Sequence, residues 1–142
     1  MEIMLVIGLG AILAVVAIPS IEGWMAENRL SSKASELIDL VQAAKLKADE
    51  KGEAHFVVLL PSDEKAPKDP EPNVTYLVAD DSVEWKLERP GPRGKPVRVS
   101  EIQVDSHGLV EPVTFRVSSG EKYVEYRFDF LTGHALSQGS SF

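Results

Sequence analysis

MEIMLVIGLGAILAVVAIP, from Met1 to Pro19, opens the chain and dictates what the remainder has to do. Between Ile3 and Ile18 no side chain is charged or strongly polar, and the run is bracketed by the acid Glu2 and by Pro19. As a helix rising ~1.5 Å per residue these positions reach roughly 24 Å, against about 30 Å for the hydrocarbon core of a bilayer. Ile3, Leu5, Val6, Ile7, Leu9, Ile12, Leu13, Val15, Val16 and Ile18 therefore define a short, marginal membrane span. Glu2 is out of keeping with such a run. Drawn toward the bilayer centre, its carboxylate costs about 2.5 kcal/mol or more. It either complements the positive end of the helix dipole or meets a positive group on a neighbouring chain.

Beyond Pro19 the helical period persists to Lys51. Ile21, Trp24, Met25, Leu30, Ala34, Leu37, Ile38, Val41, Ala44 and Ala48 step by threes and fours, with Lys33, Glu36, Asp39, Gln42, Lys45, Lys47 and Asp49 largely between them. That spacing predicts one helical face built for burial. Pro19 lacks a backbone donor and clashes one turn back, so a kink is expected there. Gly52 suits a helix stop, because glycine adopts the left-handed conformation without penalty.

After Gly52 the period shortens to that of strands. His55-Phe56-Val57-Val58-Leu59-Leu60 is a β-branched and aromatic run closed by Pro61, short enough for a buried strand against the helix. Residues 61–73, with four prolines among Asp, Glu and Lys, form a solvated loop. Residues 74–79 and 83–88 are expected as a hairpin turning at Asp80-Asp81-Ser82, with Val83, Trp85 and Leu87 on one face and Glu84, Lys86 and Glu88 on the other. Residues 89–96, RPGPRGKP, make a locally basic loop carrying Arg89, Arg93 and Lys95. In residues 97–104, Val97, Val99, Ile102 and Val104 point inward, with a change of phase at Ser100-Glu101 that suggests a bulge. Residues 112–118 and 122–130 close the set through a turn at Ser119-Gly120. Strands joined by short turns without intervening helices predict an antiparallel sheet or two, hence an α+β chain with a long kinked N-terminal helix packed on a β-sheet or β-sandwich. Residues 1–25 form the apolar half of the helix, 26–52 its amphipathic half, and 53–142 the β domain.

A length of 142 residues leaves about 90 for that domain, enough for one core. The net charge of −7 argues against a protein that grips phosphate backbones, an affinity that comes from Lys and Arg. The chain has no cysteine, so disulfides and thiolate chemistry are excluded. Asp105, His107, Asp129 and His134 are the residues from which a metal cluster would be assembled, yet no pair stands at a ligand spacing such as HExxH. Ser118-Ser119-Gly120 lacks the glycine and the strand-to-helix context of a nucleophile elbow. Asp80-Asp81 lacks the remaining oxygen ligands and glycine of an EF-hand loop. Neither an enzyme nor a bound cofactor or metal is expected.

Glu2, the apolar run with Gly8 and Gly10, the Ile18-Pro19 pair and the amphipathic helix behind them resemble the N-terminal methylation segment of type IV pilins and type II secretion pseudopilins. The helix end at residues 41–48 leading into Phe56-Val57-Val58-Leu59, and the stretch Tyr126-Arg127-Phe128-Asp129-Phe130-Leu131-Thr132-Gly133, resemble the H-type minor pseudopilins. The chain has neither the calcium-loop pattern of a major pseudopilin nor the cysteine pair of many major pilins. The resemblance implies a pilin-like fold and a leader ahead of Met1, removed by a prepilin peptidase. It also implies a single pass through a bacterial inner membrane with the β domain in the periplasm. The expected function is then structural: a minor pseudopilin of a type II secretion pseudopilus, assembling with other pseudopilin subunits through its helix to support protein export. Glu2 and Pro19 would be its assembly residues, and the apolar run would be its membrane or filament core. A minor pilin of a type IV pilus or competence system, serving adhesion or DNA uptake, is the alternative within the family. Against nucleic-acid binding, Gly133 is followed by His134-Ala135-Leu136 and an uncharged tail. A membrane-tethered β-sandwich that binds a ligand by itself is the alternative of another class, and it gives no reason for Glu2.

Overall fold

The computed structural model describes the backbone of residues 2–69 and 71–141, and the side chains of residues 3–9, 23–69 and 71–141. One helix, α1, runs from Glu2 to Lys51 as a single element through Pro19. It ends where Gly52 takes φ +64. Eight strands follow: β1 (His55–Leu60), β2 (Val74–Val78), β3 (Glu84–Arg89), β4 (Val97–Val99), β5 (Glu101–Val104), β6 (Thr114–Ser119), β7 (Lys122–Phe128) and β8 (Ala135–Ser140). They form a three-stranded sheet in the order β2-β1-β5 and a five-stranded sheet in the order β4-β3-β6-β7-β8. The α+β class is as expected from the sequence.

The C-terminal half of α1 lies against both sheets. Leu30, Ala34, Leu37, Val41, Ala44 and Ala48, alternately four and three apart, are at most 1% exposed, and the helix touches β1, β2, β5, β6 and β7. The three alanines let strand backbones approach, while the leucines and Val41 fill the space between sheets. Across from them Val57, Ile102, Val104, Val110, Val113, Phe115, Val117 and Phe128 complete one core. Phe115 is its aromatic hub, with ring centroids 5.3 Å from Phe128, 5.5 Å from Tyr126 and 6.3 Å from Trp85. These separations lie in the favourable range for aromatic pairs.

Five expectations are corrected. Residues 74–79 and 83–88 do not form a hairpin. β2 runs parallel to β1, Phe56 opposite Val74 and Leu60 opposite Val78, while β3 pairs with β4 and β6 in the other sheet. The proline-rich segment 61–73 is long enough to carry the chain back along β1, which a tight turn cannot do. Asp80 then redirects the backbone, its carboxylate accepting the Ser82 N–H at 2.9 Å and its carbonyl the Val83 N–H. The smaller sheet is therefore mixed, while the five-stranded sheet is antiparallel throughout, as expected. The change of phase at Ser100 is a passage from one sheet to the other, β4 ending at Val99 and β5 beginning at Glu101, and not a bulge. Val97, expected inward, is 45% exposed because β4 is a three-residue edge strand. Trp24 and Met25 are exposed as well, because full burial of the α1 face begins only at Leu30, although Lys122 of β7 reaches α1 at Gly23. Finally, the uncharged tail expected at residues 137–142 is largely strand: it belongs, as far as Ser140, to β8, which pairs with β7.

The alternation read in β3 is as expected: Val83, Trp85 and Leu87 are buried, Glu84 and Lys86 exposed. On the outer face of the larger sheet, Arg116 and Glu125 stand opposite each other across β6 and β7 and pair at 2.8 Å. The guanidinium lies 4.3 Å from the Tyr123 ring centroid.

Candidate functional site

Two regions of the described surface are chemically distinctive. The first is the free end of α1. Ile3, Met4, Leu5, Val6, Ile7 and Leu9 are 61–81% exposed, six large apolar side chains within seven consecutive positions. Burying one such side chain is worth ~1.5–3 kcal/mol, so leaving all six in water is strongly unfavourable. A run of this kind marks an interaction surface. Of the predicted site residues, Ile3, Leu5, Val6, Ile7 and Leu9 stand on this exposed end. The side chains of Glu2, Ile12, Leu13, Val15, Val16, Ile18 and Pro19 lie outside the described residues, and so does the kink expected at Pro19. Among the described residues no helix is long and apolar enough to cross a membrane.

The second region is a cleft of about 560 Å³ where the two sheets meet. It is assembled from the C-terminal end of β1, the segment 79–87, residues 98–100 and the β6–β7 turn. Leu60, Val83 and Trp85 supply apolar wall, and Asp80, Asp81 and Glu84 stand among its lining carboxylates. The Asp80 carboxyl titrates below the usual carboxylate range, chiefly because the Ser82 backbone N–H donates to it and secondly because Lys33 pairs with it at 3.3 Å. Asp81 accepts a hydrogen bond from the Ser62 hydroxyl. No local pattern announced this cleft, because its walls come from four separated segments. Only the alternation of β3 hinted at Trp85.

The residues weighed as metal ligands are drawn to one side of the molecule without forming a site. Turns at Gly108 (φ +78) and Gly133 (φ +70) both sit on the Lys45 stem; a Cβ at Gly133 would stand 3.0 Å from Lys45 Cδ and from Val110 Cγ2. Each turn uses its own carboxylate internally. Asp105 accepts the N–H groups of His107 and Leu109, both at 2.9 Å. Asp129 accepts the Thr132 hydroxyl at 2.6 Å and its N–H at 3.0 Å, the hydroxyl bond being the main reason its pKa is lowered. Gln42 reaches from α1 to the Gly133 carbonyl and ties the second turn to the helix. Among the described residues no group of three His, Asp or Glu is placed to hold a metal ion.

His55 was not singled out by the sequence. It opens β1, is 4% exposed, and its Nε2 lies 2.8 Å from Thr75 Oγ1 on β2. Burial lowers its pKa, and the nearby charges of Lys47 and Lys51 lower it further. It fastens the parallel β1–β2 pair.

Compared with protein-family models, curated proteins and solved structures, the chain matches none.

Proposed function

We propose that this chain is a filament-building subunit, a minor pseudopilin of a type II secretion pseudopilus, whose α1 passes from the bacterial inner membrane into a bundle of like helices. The observation that carries the proposal is the division of α1. Its second half is sunk in the β domain, while Ile3 to Leu9 at its free end present an uncovered apolar surface. Lipid covers that surface before assembly, and neighbouring helices cover it afterwards. The resemblance of the segment from Glu2 to Pro19 to type IV pilins and pseudopilins supports the same reading. Glu2 enters an apolar setting in either state, where an ion pair fixes register more surely than it adds net stability. Its partner in the filament is an N-terminal amine.

The test is co-purification of the full-length protein with the other pseudopilin subunits of its own system. Glu2→Ala should leave the subunit folded and in the membrane fraction, but deplete it from assembled filament. Undiminished incorporation of the Glu2→Ala protein would remove Glu2 from assembly. Mass spectrometry of the N-terminus, with and without the prepilin peptidase, is the companion measurement. Peptidase-dependent cleavage and a methylated new N-terminus are the expected result.

A further inference from the structure

We propose that the cleft between the two sheets receives the basic, proline-rich loop 90–96 of a second copy of this chain. This rests on the reading of the chain as a filament subunit and names a contact that its β domains would make. The cleft lining carries Asp80, Asp81 and Glu84 against one guanidinium, Arg98. Lys33 pairs with Asp80, leaving Asp81 and Glu84 without a cation among the described residues. The loop has the opposite character. Arg93 and Lys95 are exposed, make no ion pair among the described residues, and have no acid between them or beside them from Pro90 to Pro96. Arg89 is different, being held by Glu111 at 2.8 Å.

Two further observations fit the same occupant. Trp85 lines the cleft, and its buried indole N–H has no acceptor among the described residues. Pro90, Pro92 and Pro96 carry carbonyls but no N–H groups, and proline-rich segments commonly dock against aromatic walls. The loop tip is also preset, at a cost. Pro92–Gly94 form a single 3-10 turn in which Arg93 holds φ +60, a left-handed conformation that costs a non-glycine residue about 1 kcal/mol or more. The cleft volume of about 560 Å³ lies within the ~300–1,000 Å³ of sites that engulf a small ligand, enough for such a tip.

The placement of the two surfaces gives the contact a direction. The cleft lining runs on to Leu87 and Arg98, but its carboxylates stand at the start of β3, at Glu84 and before it, whereas Arg89 ends the strand at the loop. Five residue steps of ~3.3 Å put roughly 17 Å between them. Opposite charges at opposite ends of one strand cannot pair within the same chain. Between chains they make a head-to-tail contact, which propagates unless rotation closes it into a ring.

The chain contains no cysteine, so engineered thiols report proximity without background. Full-length S82C and P92C chains, mixed in equal amounts in detergent micelles and mildly oxidised, should give mainly the mixed disulfide dimer. Adding R93E and K95E to the P92C chain should cut its yield about tenfold or more. Adding D81R and E84R to the S82C chain should restore it. Mixed dimer no more abundant than the two homodimers, or a yield indifferent to these charges, overturns the contact. If that happens while incorporation remains dependent on Glu2, the docking fails and the filament reading stands. If the mixed dimer forms as expected while Glu2→Ala incorporates normally, the docking holds and the role of the helix terminus fails.

Discussion

His55 shows at the scale of one residue how burial couples this fold to pH. Unfolded, its imidazole titrates near 6.5; folded, burial and the charges of Lys47 and Lys51 hold the value lower. Below pH 6.5 the unfolded chain therefore binds the proton more readily than the folded one. Stability is full above about 6.5 and declines as pH falls toward the folded value, by at most ~1.4 kcal/mol per pH unit for one proton. Urea unfolding between pH 7.5 and 5 should show this decline, and His55→Gln should flatten it; an equal slope in the variant would assign the effect elsewhere. Asp80 and Asp129 act in a separate window. Their folded pKa values lie below the ordinary 3.8, so their contributions are present above that pH and fade only as pH falls through the folded values. His55 was invisible in the sequence, where it reads as the polar first residue of an apolar strand. Its role depends on Thr75, twenty positions away and adjacent only through the parallel β1–β2 pairing.

At the scale of elements, the stretches legible in the sequence were those whose cause is local. The step pattern from Leu30 to Ala48, the stop at Gly52, the run from His55 to Leu60 and the in–out alternation of β3 are each fixed by neighbours three, four or two positions away. Sheet membership is decided by partners far along the chain. For that reason β2 and β3 passed for a hairpin, and the crossing at Ser100 passed for a bulge. β8 was hidden for another reason: Leu136-Ser137-Gln138-Gly139 has no apolar alternation, and as an edge strand it needs little. Its pairing with β7 shifts register opposite Glu125 and Tyr126. The element that binds both sheets together is α1, and Leu37, 1% exposed at the middle of its buried face, is where this can be tested. Leu37→Ala should cost ~2–5 kcal/mol, because the rigid strands on either side cannot collapse into the space. Chemical denaturation would show a lowered midpoint with little change in slope. A loss below 1 kcal/mol would mean that the helix and sheets do not share one core.

For the whole molecule, the decisive feature is that α1 belongs to two environments at once. Residues 30–48 contribute to a domain core, whereas residues 3–9 expose their side chains and add nothing to it. The two halves should therefore be separable in energy although they share one helix. Charging the free end tests this directly. Leu5→Lys with Leu9→Lys places two cations where burial costs each ~2.5–3.5 kcal/mol at a membrane helix centre, enough to abolish stable partition into membranes or a helical bundle. The same double substitution removes no contact made by the β domain. Its unfolding, followed by the near-ultraviolet signal of the cluster around Phe115, should keep its midpoint. A shift of 4–8 °C would correspond to about 1 kcal/mol for a domain of this size and would mean that the free end folds back onto the domain in solution. An unchanged midpoint together with lost membrane association would establish α1 as a shared element whose apolar end is reserved for partners. In that case the β domain keeps its fold whatever surrounds Ile3 to Leu9, because nothing in its core depends on them.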